Sequence, residues 1–317
     1  MIEETRATKS RLGKKWSSVD WGLSLIELGS TNGRTNAVIF GVALGDRRNR
    51  DLNVVPQRRL PHYRHHDMDA PPLWYFYKKR RLYLDGFAEK DHRPLMQFTL
   101  DVSNGGETVR NWEPLFRDIA AYLETLRPPP YPFAIDRELA DRGRAVFIDH
   151  CARCHGTYGR EWTYQEKVVP LDELGTDPVR LEALTVAHRE DYSRNWLSHY
   201  GKKATVTRPE GYVAPPLDGI WASAPYFHNG SVPTLWHVLH PDDRPQIWRR
   251  KSERYNRDQV GWEFEEVNRV PPDEGDRWRR RWYFDTREPG KSAAGHRYPA
   301  ELTEAERNAV LEYLKTL

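Results

Sequence analysis

Apolar residues recur at helical spacing in three stretches of the chain. Across Trp112–Leu126 they are Leu115, Ile119, Tyr122, Leu123 and Leu126; across Asp136–His150 they are Leu139, Ala140, Gly143, Val146 and Phe147; near the end they are Val310, Leu311 and Leu314. Each pattern predicts an amphipathic helix, and Thr303 with Glu306 forms a capping box that opens the last one. Between the first two helices, Arg127, Pro128, Pro129, Pro130, Tyr131 and Pro132 form a stiff, extended connection, because each proline fixes its own φ and drives its predecessor out of the helical region. The domain boundary falls there: a first unit over 1–127, a linker over 128–135 and a second unit over 136–317. Stretches such as Gly29–Gly45 and Lys202–Pro233, rich in Gly, Pro, Asn and Ser, read as loops with short strands at most. The predicted fold is mainly α with long irregular loops.

The two closing helices resemble each other. Ile119-Ala-Ala-Tyr-Leu-Glu-Thr-Leu126 and Val310-Leu-Glu-Tyr-Leu-Lys-Thr-Leu317 share Tyr, Leu, Thr and Leu and begin on a β-branched residue, and each ends its half of the chain, which points to a duplicated fold. At roughly 150 residues per domain, the 317 residues agree with two units. With 49 basic and 46 acidic side chains the net charge is +3, too little for a global field that attracts nucleic acid. The basic and aromatic run Arg277–Arg281 reads as a solvated face. No membrane span is expected: the apolar run Ala37–Leu44 is too short to cross a bilayer and too far from Met1 to form a signal-peptide core.

The chain has 2 cysteines, too few for a disulfide scaffold or an all-cysteine metal site, so their spacing matters. They stand in Cys151-Ala-Arg-Cys154-His155. Cys-x-x-Cys-His is the attachment signature of a c-type haem: two thiols add across the two vinyl groups, and the following imidazole becomes the proximal iron ligand. Residues three apart on a helix share a face, so both sulfurs reach one porphyrin edge. Phe147, four residues earlier, is placed to pack on the haem, and Gly156 lets the chain turn away. A thioredoxin-like pair would begin a helix within a βαβ unit, and no strand pattern precedes this motif. A zinc site would need a second His pair at finger spacing, for which His237 and His240 are the nearest match.

The distal ligand is narrowed by composition. No methionine follows Cys154, since Met1, Met68 and Met96 all lie in the first half; the histidines that follow are His188, His199, His228, His237, His240 and His296. His/His ligation gives a six-coordinate, low-potential haem suited to electron transfer.

Two segments carry a family resemblance. The stretch from Pro215 to Leu235, with Trp221, Pro225-Tyr226-Phe-His228-Asn-Gly230 and Pro233, resembles the signature shared by di-haem cytochrome c peroxidases, the methylamine-utilisation di-haem enzyme and the rubber oxygenases. The tail Phe284-Asp-Thr-Arg-Glu-Pro-Gly-Lys-Ser-Ala-Ala-Gly295-His296-Arg-Tyr is most similar to the rubber-oxygenase branch. The resemblance spans about Asp69 to Leu317 and includes Asp69-Ala-Pro-Pro-Leu-Trp74. It implies a cytochrome c-like fold in the second unit, with Cys151 and Cys154 bonded to the haem, His155 proximal and His296 distal. It also implies Tyr226, His228 and Trp221 in the haem vicinity, with Tyr226 and His228 as second choices for the distal position. A tight turn whose histidine bonds only to backbone is the bland alternative for Pro225–Gly230.

Family members carry two attachment motifs, and this chain has cysteines for one. The first unit is therefore expected to be a partial, degenerate or truncated cytochrome c-like domain without its own haem, with a start upstream of Met1 as one explanation and a natural one-haem version as the other. The expected function is electron transfer through a single covalent haem c to a redox partner protein or a small donor or acceptor. The alternative is a part of a di-haem peroxidase or oxygenase whose catalytic haem segment is absent. Attachment of c-type haem takes place outside the cytoplasm, so a periplasmic or extracellular location is expected although no export signal is visible.

Overall fold

The structure, a computed structural model, describes Thr31 and residues 34–56, 66–272 and 275–317; most of the first thirty-odd positions of the predicted 1–127 unit, Gly29 and Met1 among them, lie outside the described residues. The helices used below are α1 (Ala37–Gly45), α2 (Glu113–Thr125), α3 (Arg137–His150), α4 (Ala152–His155), α5 (Leu171–Leu174), α6 (Leu235–Leu239) and α7 (Glu304–Leu314), with further short helices between them.

The expectation of a mainly helical protein is corrected by the strands. Among the described residues 37% are helical and 14% are in strands, a mixed composition. Strands β1 (Arg81–Leu82) and β2 (Ala88–Glu89) pair antiparallel, as do β3 (Val168–Pro170) and β4 (Gly211–Val213). A three-stranded antiparallel sheet of order β6-β5-β7 joins β5 (Ile247–Asn256), β6 (Gly261–Glu266) and β7 (Tyr283–Asp285). The strand pattern of β5 is disguised because its side chains do not simply alternate apolar with polar. Arg249 meets Glu265 across the β5–β6 pair at 2.7 Å, and the Arg250 guanidinium lies 3.5 Å from the centre of the Trp262 ring. Cross-strand ion pairing and cation–π contact thus do the work usually done by β-branched pairs. Trp248 and Phe284, paired across the strands, are buried on one face of the sheet with their rings stacked at 5.4 Å, and Ile247 is buried on the other.

The second correction is α1. The segment Gly29–Gly45 was expected to be a loop, yet Ala37–Gly45 is helical. Its residues are apolar on every face, so no 3.6-residue alternation marks it, and Val38, Ile39 and Ala43 are buried.

The three helices read from periodicity form where the pattern places them. Asp136 caps α3 by accepting the Leu139 N–H at 3.0 Å, and its own N–H donates to Glu312 of α7 at 2.7 Å. At α7 the capping box is complete: the Thr303 side chain accepts the Glu306 N–H, and the Glu306 carboxylate accepts from Thr303. The α3 and α7 helices cross in intimate contact, with Phe147 and Tyr313 rings 5.3 Å apart and Val310, Leu311 and Leu314 buried beside them. The matching octapeptide in α2 is used differently. Ile119 is 42% and Tyr122 63% exposed, whereas Val310 is 1% exposed. The shared letters therefore do not produce the same packing.

A separate core gathers Leu52, Phe87, Met96, Leu100 and Val109 with Tyr192, Trp196 and Leu197, so residues from both sides of the proline run are buried together. Asp85 reinforces this with buried ion pairs to Arg180 at 3.4 Å and Arg189 at 2.6 Å.

The α3–α7 crossing has a specific requirement. A Cβ at Gly143 would stand 1.9 Å from the Ala309 carbonyl oxygen. Gly143→Ala is expected to force the helices apart and destabilise the protein by roughly 1–3 kcal/mol, read as a lowered urea midpoint. Gly45→Ala, where a Cβ meets nothing within 4 Å, is expected to stay within about 0.5 kcal/mol of wild type. Equal effects of the two substitutions would refute the close-contact explanation.

Candidate functional site

The end of α3 delivers the cysteine motif. Cys151 ends that helix, and α4 continues for one turn, with the N–H groups of Cys154 and His155 both donating to the Cys151 carbonyl at 3.1 Å. The turn stops at Gly156, whose φ of 77° and 1.9 Å approach of its Cβ position to the Thr163 carbonyl admit no side chain. Both cysteines are free thiols and both line one cavity of about 260 Å³. Burial pushes the Cys151 thiol up to about 12, and the neighbouring Cys154 adds to that while Arg153 opposes it. A thiol held so firmly protonated is unlike the low-pKa thiolate that disulfide exchange uses.

His155 lines the same cavity, and its Nδ1 lies 2.8 Å from the Pro215 carbonyl oxygen. A carbonyl only accepts, so Nδ1 carries the proton and Nε2 keeps its lone pair. Burial lowers the proton affinity of the ring and the bond to Pro215 opposes this only in part. The imidazole is thus oriented, and one nitrogen remains available to a metal, the usual arrangement of a ligating histidine.

His296 comes to the cavity from the tail. Gly295 at φ 80° and His296 at φ 49° turn the chain sharply, and the His296 N–H donates to the Leu174 carbonyl at the end of α5 at 2.8 Å. The Gly295 Cα packs so closely that a Cβ would meet the Thr176 nitrogen at 2.4 Å. Arg244 clamps the same loop from the other side: its guanidinium donates to the carbonyls of Ala293 at 2.8 Å, Gly295 at 2.7 Å and His296 at 3.3 Å. The result is that the His155 and His296 rings stand 6.2 Å apart between centroids, with planes at 62°. Burial first, then His155 and Arg244, lower the His296 proton affinity to about 3, so this ring too is neutral.

The spacing fits a metal between the two rings. An imidazole nitrogen lies about 2 Å from a metal it binds, which puts the ring centre about 3 Å away, so two rings on opposite sides of one ion stand on the order of 6 Å apart. The rest of the lining is mostly apolar, with Phe147, Leu217, Leu235, Leu302, Val310 and Leu314 among it, which suits a porphyrin better than a hydrated ion.

The other sequence-derived candidates divide. Of the six histidines after the motif, only His228 and His296 line the cavity. His188 caps a helix with Thr185, His199 pairs with Asp91, His237 with Thr234, and His240 with Glu304 at 2.9 Å. Met68 and Met96 are buried elsewhere and do not line it. Tyr226 is a wall residue whose hydroxyl donates toward the carbonyls of Val260 at 3.2 Å and Trp221 at 3.5 Å. Burial raises that phenol well above its usual value, keeping it protonated. Trp221 lies outside the lining residues: its Nε1 donates to Pro129 at 3.2 Å and its ring meets Tyr131 and Tyr255 edge-on. Phe147 lines the cavity. In the run Arg277–Arg281, Arg279 pairs with Asp276 at 3.8 Å, and the side chains of Arg277 and Trp278 lie outside the described ones.

Sequence reasoning missed Arg244, the Pro215 carbonyl and the Leu174 carbonyl. Backbone acceptors leave no letter in a sequence, and Arg244 sits in an ordinary-looking Asp-Asp-Arg-Pro turn. The Gly295–His296 pair, where a glycine frees the turn, was the one signal of that loop.

Two curated proteins of Sinorhizobium fredii are similar to this chain. The uncharacterized protein y4iM is 31% identical over 205 residues, covering 56% of this chain and 45% of its own length. The uncharacterized protein y4iJ is 28% identical over 259 residues, covering 61% of this chain and 41% of its own. The chain thus covers less than half the length of each of these relatives. Among the described residues, no helix is long and apolar enough to cross a membrane. Residues 211–249, which hold the Pro215 carbonyl, Tyr226, His228 and Arg244, match the family described as RoxA-like, cytochrome c-like, and this supports the rubber-oxygenase-like cytochrome c branch and a c-type haem-related protein.

Proposed function

We propose that this chain carries one haem c, attached through Cys151 and Cys154 and held by His155 and His296 on its two faces, and that it serves in electron transfer. The observation that carries the reading is the 6.2 Å opposition of two neutral, separately oriented imidazoles beside two free thiols. The haem, when bound, supplies a one-electron iron couple. The chain's residues do the rest. Pro215 fixes the tautomer of His155, Arg244 and Leu174 hold the loop of His296, and the apolar lining excludes water. Were His155 and His296 both to hold the iron, small molecules would find no open position on it. A redox partner protein or a small donor or acceptor completes the reaction. Because c-type haem is attached outside the cytoplasm, a periplasmic or extracellular site of action goes with this reading.

Expression with a c-type maturation system is expected to give protein with one covalent haem per chain and a six-coordinate, low-spin spectrum that carbon monoxide and peroxide leave unchanged. Replacing both cysteines, Cys151→Ala with Cys154→Ala, is expected to leave any haem extractable by acidified solvent. A wild-type protein free of covalent haem would sink the reading, and peroxide-dependent turnover would put an oxidoreductase of peroxidase or oxygenase type in its place. His296→Ala is expected to convert the spectrum from low-spin to predominantly high-spin and to admit carbon monoxide; an unchanged low-spin spectrum would reject His296 as ligand.

A further inference from the structure

Besides His155 and His296, the cavity is lined by His150 at the end of α3 and by His228. His228 lines the cavity and its Nε2 is buried without a hydrogen-bond partner. A buried polar atom left without a partner is costly to the fold, and a bound group that meets it removes that cost. Its ring is stacked on Tyr212, 4.6 Å between centroids at 23°. Tyr212 is itself fixed, its hydroxyl donating to the Asp177 carbonyl at 2.9 Å and accepting the Leu181 N–H at 3.2 Å.

The backbone on both sides of His228 is pinned as well. Phe227 is held at φ 70°, a left-handed conformation that a bulky residue adopts only when its surroundings impose it. The His228 carbonyl accepts the Asp69 N–H at 2.8 Å, and the Asn229 amide donates to the carbonyls of Gly290 at 3.2 Å and Ser292 at 3.0 Å. The ring is thus preorganised at the cavity wall.

The chemistry of its partner follows from charge. The neutral imidazole is kept so by burial first, then by the Arg180 guanidinium and the neighbouring His66, which together lower its proton affinity to about 3. At this wall the potential is therefore positive, which favours an anion. The nearby Asp69 is not that anion, because it lies in an ion pair with Arg34 at 2.5 Å. Asp85, for its part, divides one carboxylate between two guanidiniums, Arg180 and Arg189.

Resting on the haem reading above, we propose that His228 donates a hydrogen bond from Nε2 to a carboxylate buried in the cavity, a propionate of the haem itself, and so acts as a positioning residue. A carboxylate can also come from an external small acid, and the test separates the two sources.

The test uses the full chain, loaded with haem, as wild type, His228→Phe and His228→Gln. All three are expected to retain covalent haem and a low-spin spectrum. In His228→Phe the propionate bending band of the resonance Raman spectrum is expected to shift and the midpoint potential to fall, because the carboxylate charge is no longer delocalised onto a donor; His228→Gln, which keeps an N–H, restores both toward wild type. A band at the same position in all three proteins overturns the proposal. If His228→Phe yields no folded protein, His228→Gln against wild type carries the comparison, and misfolding of both overturns it, since a retained donor should suffice. Added acetate is expected to leave the loaded wild type unchanged; a saturable acetate-dependent shift abolished in His228→Phe assigns Nε2 to an external carboxylate and overturns the propionate assignment. Absence of covalent haem from wild type defeats the haem reading itself, a result distinct from a propionate band that ignores His228.

Discussion

The close crossing of α3 and α7 is the contact on which the rest of the site depends. Glycine at 143 lets the α3 backbone lie against the Ala309 carbonyl. With the helices at that distance, Phe147 of α3 and Val310 and Leu314 of α7 line one side of the cavity together. The same helix then runs directly into Cys151, so the position of both thiols is a consequence of how closely α3 packs. Any widening of the crossing moves the thiols and His155, which follow α3, relative to His296, which is held by other elements.

Those other elements work through the backbone. His155 is oriented by the Pro215 carbonyl, and His296 by a loop whose carbonyls face Arg244 and whose N–H reaches Leu174. A buried guanidinium that serves several carbonyls at once satisfies acceptors which regular secondary structure would otherwise occupy. Arg48 does the same elsewhere, donating to the carbonyls of Leu52 at 2.9 Å and Leu100 at 2.7 Å. This protein is rich in irregular chain, and buried arginines replace missing ladders as its internal fasteners.

The cavity is also a study in proton economy. Cys151, Tyr226, His155 and His296 are each driven by burial toward the neutral form. A mostly apolar chamber tolerates few charges, and neutral thiols and imidazoles are the forms competent to meet a vinyl group and a metal. Guanidiniums stand near the rings all the same, Arg180 by His228 and Arg244 by His296, and both act to keep those imidazoles neutral.

How much of this was legible in the letters follows from range. The attachment motif, the helices of 113–125, 137–150 and 304–314 and the capping box at Thr303 are local patterns, set by residues within a few positions of one another. The helix α1 and the sheet β6-β5-β7 were not legible: α1 is apolar all round, and β5 pairs its arginines with Glu265 and Trp262, partners that only the folded sheet brings near. The similarity between the α2 and α7 octapeptides likewise conveyed more than packing allowed, because burial depends on the neighbouring helix and α7 has α3 where α2 leaves Ile119 and Tyr122 exposed. The sequence by itself determined which side chains can do chemistry, above all Cys151, Cys154 and His155, since that is a matter of covalent spacing. Only the tertiary structure decided which distant histidines share their cavity, because a ring's neighbours from far along the chain are chosen by backbone hydrogen bonds and close packing that no single residue encodes.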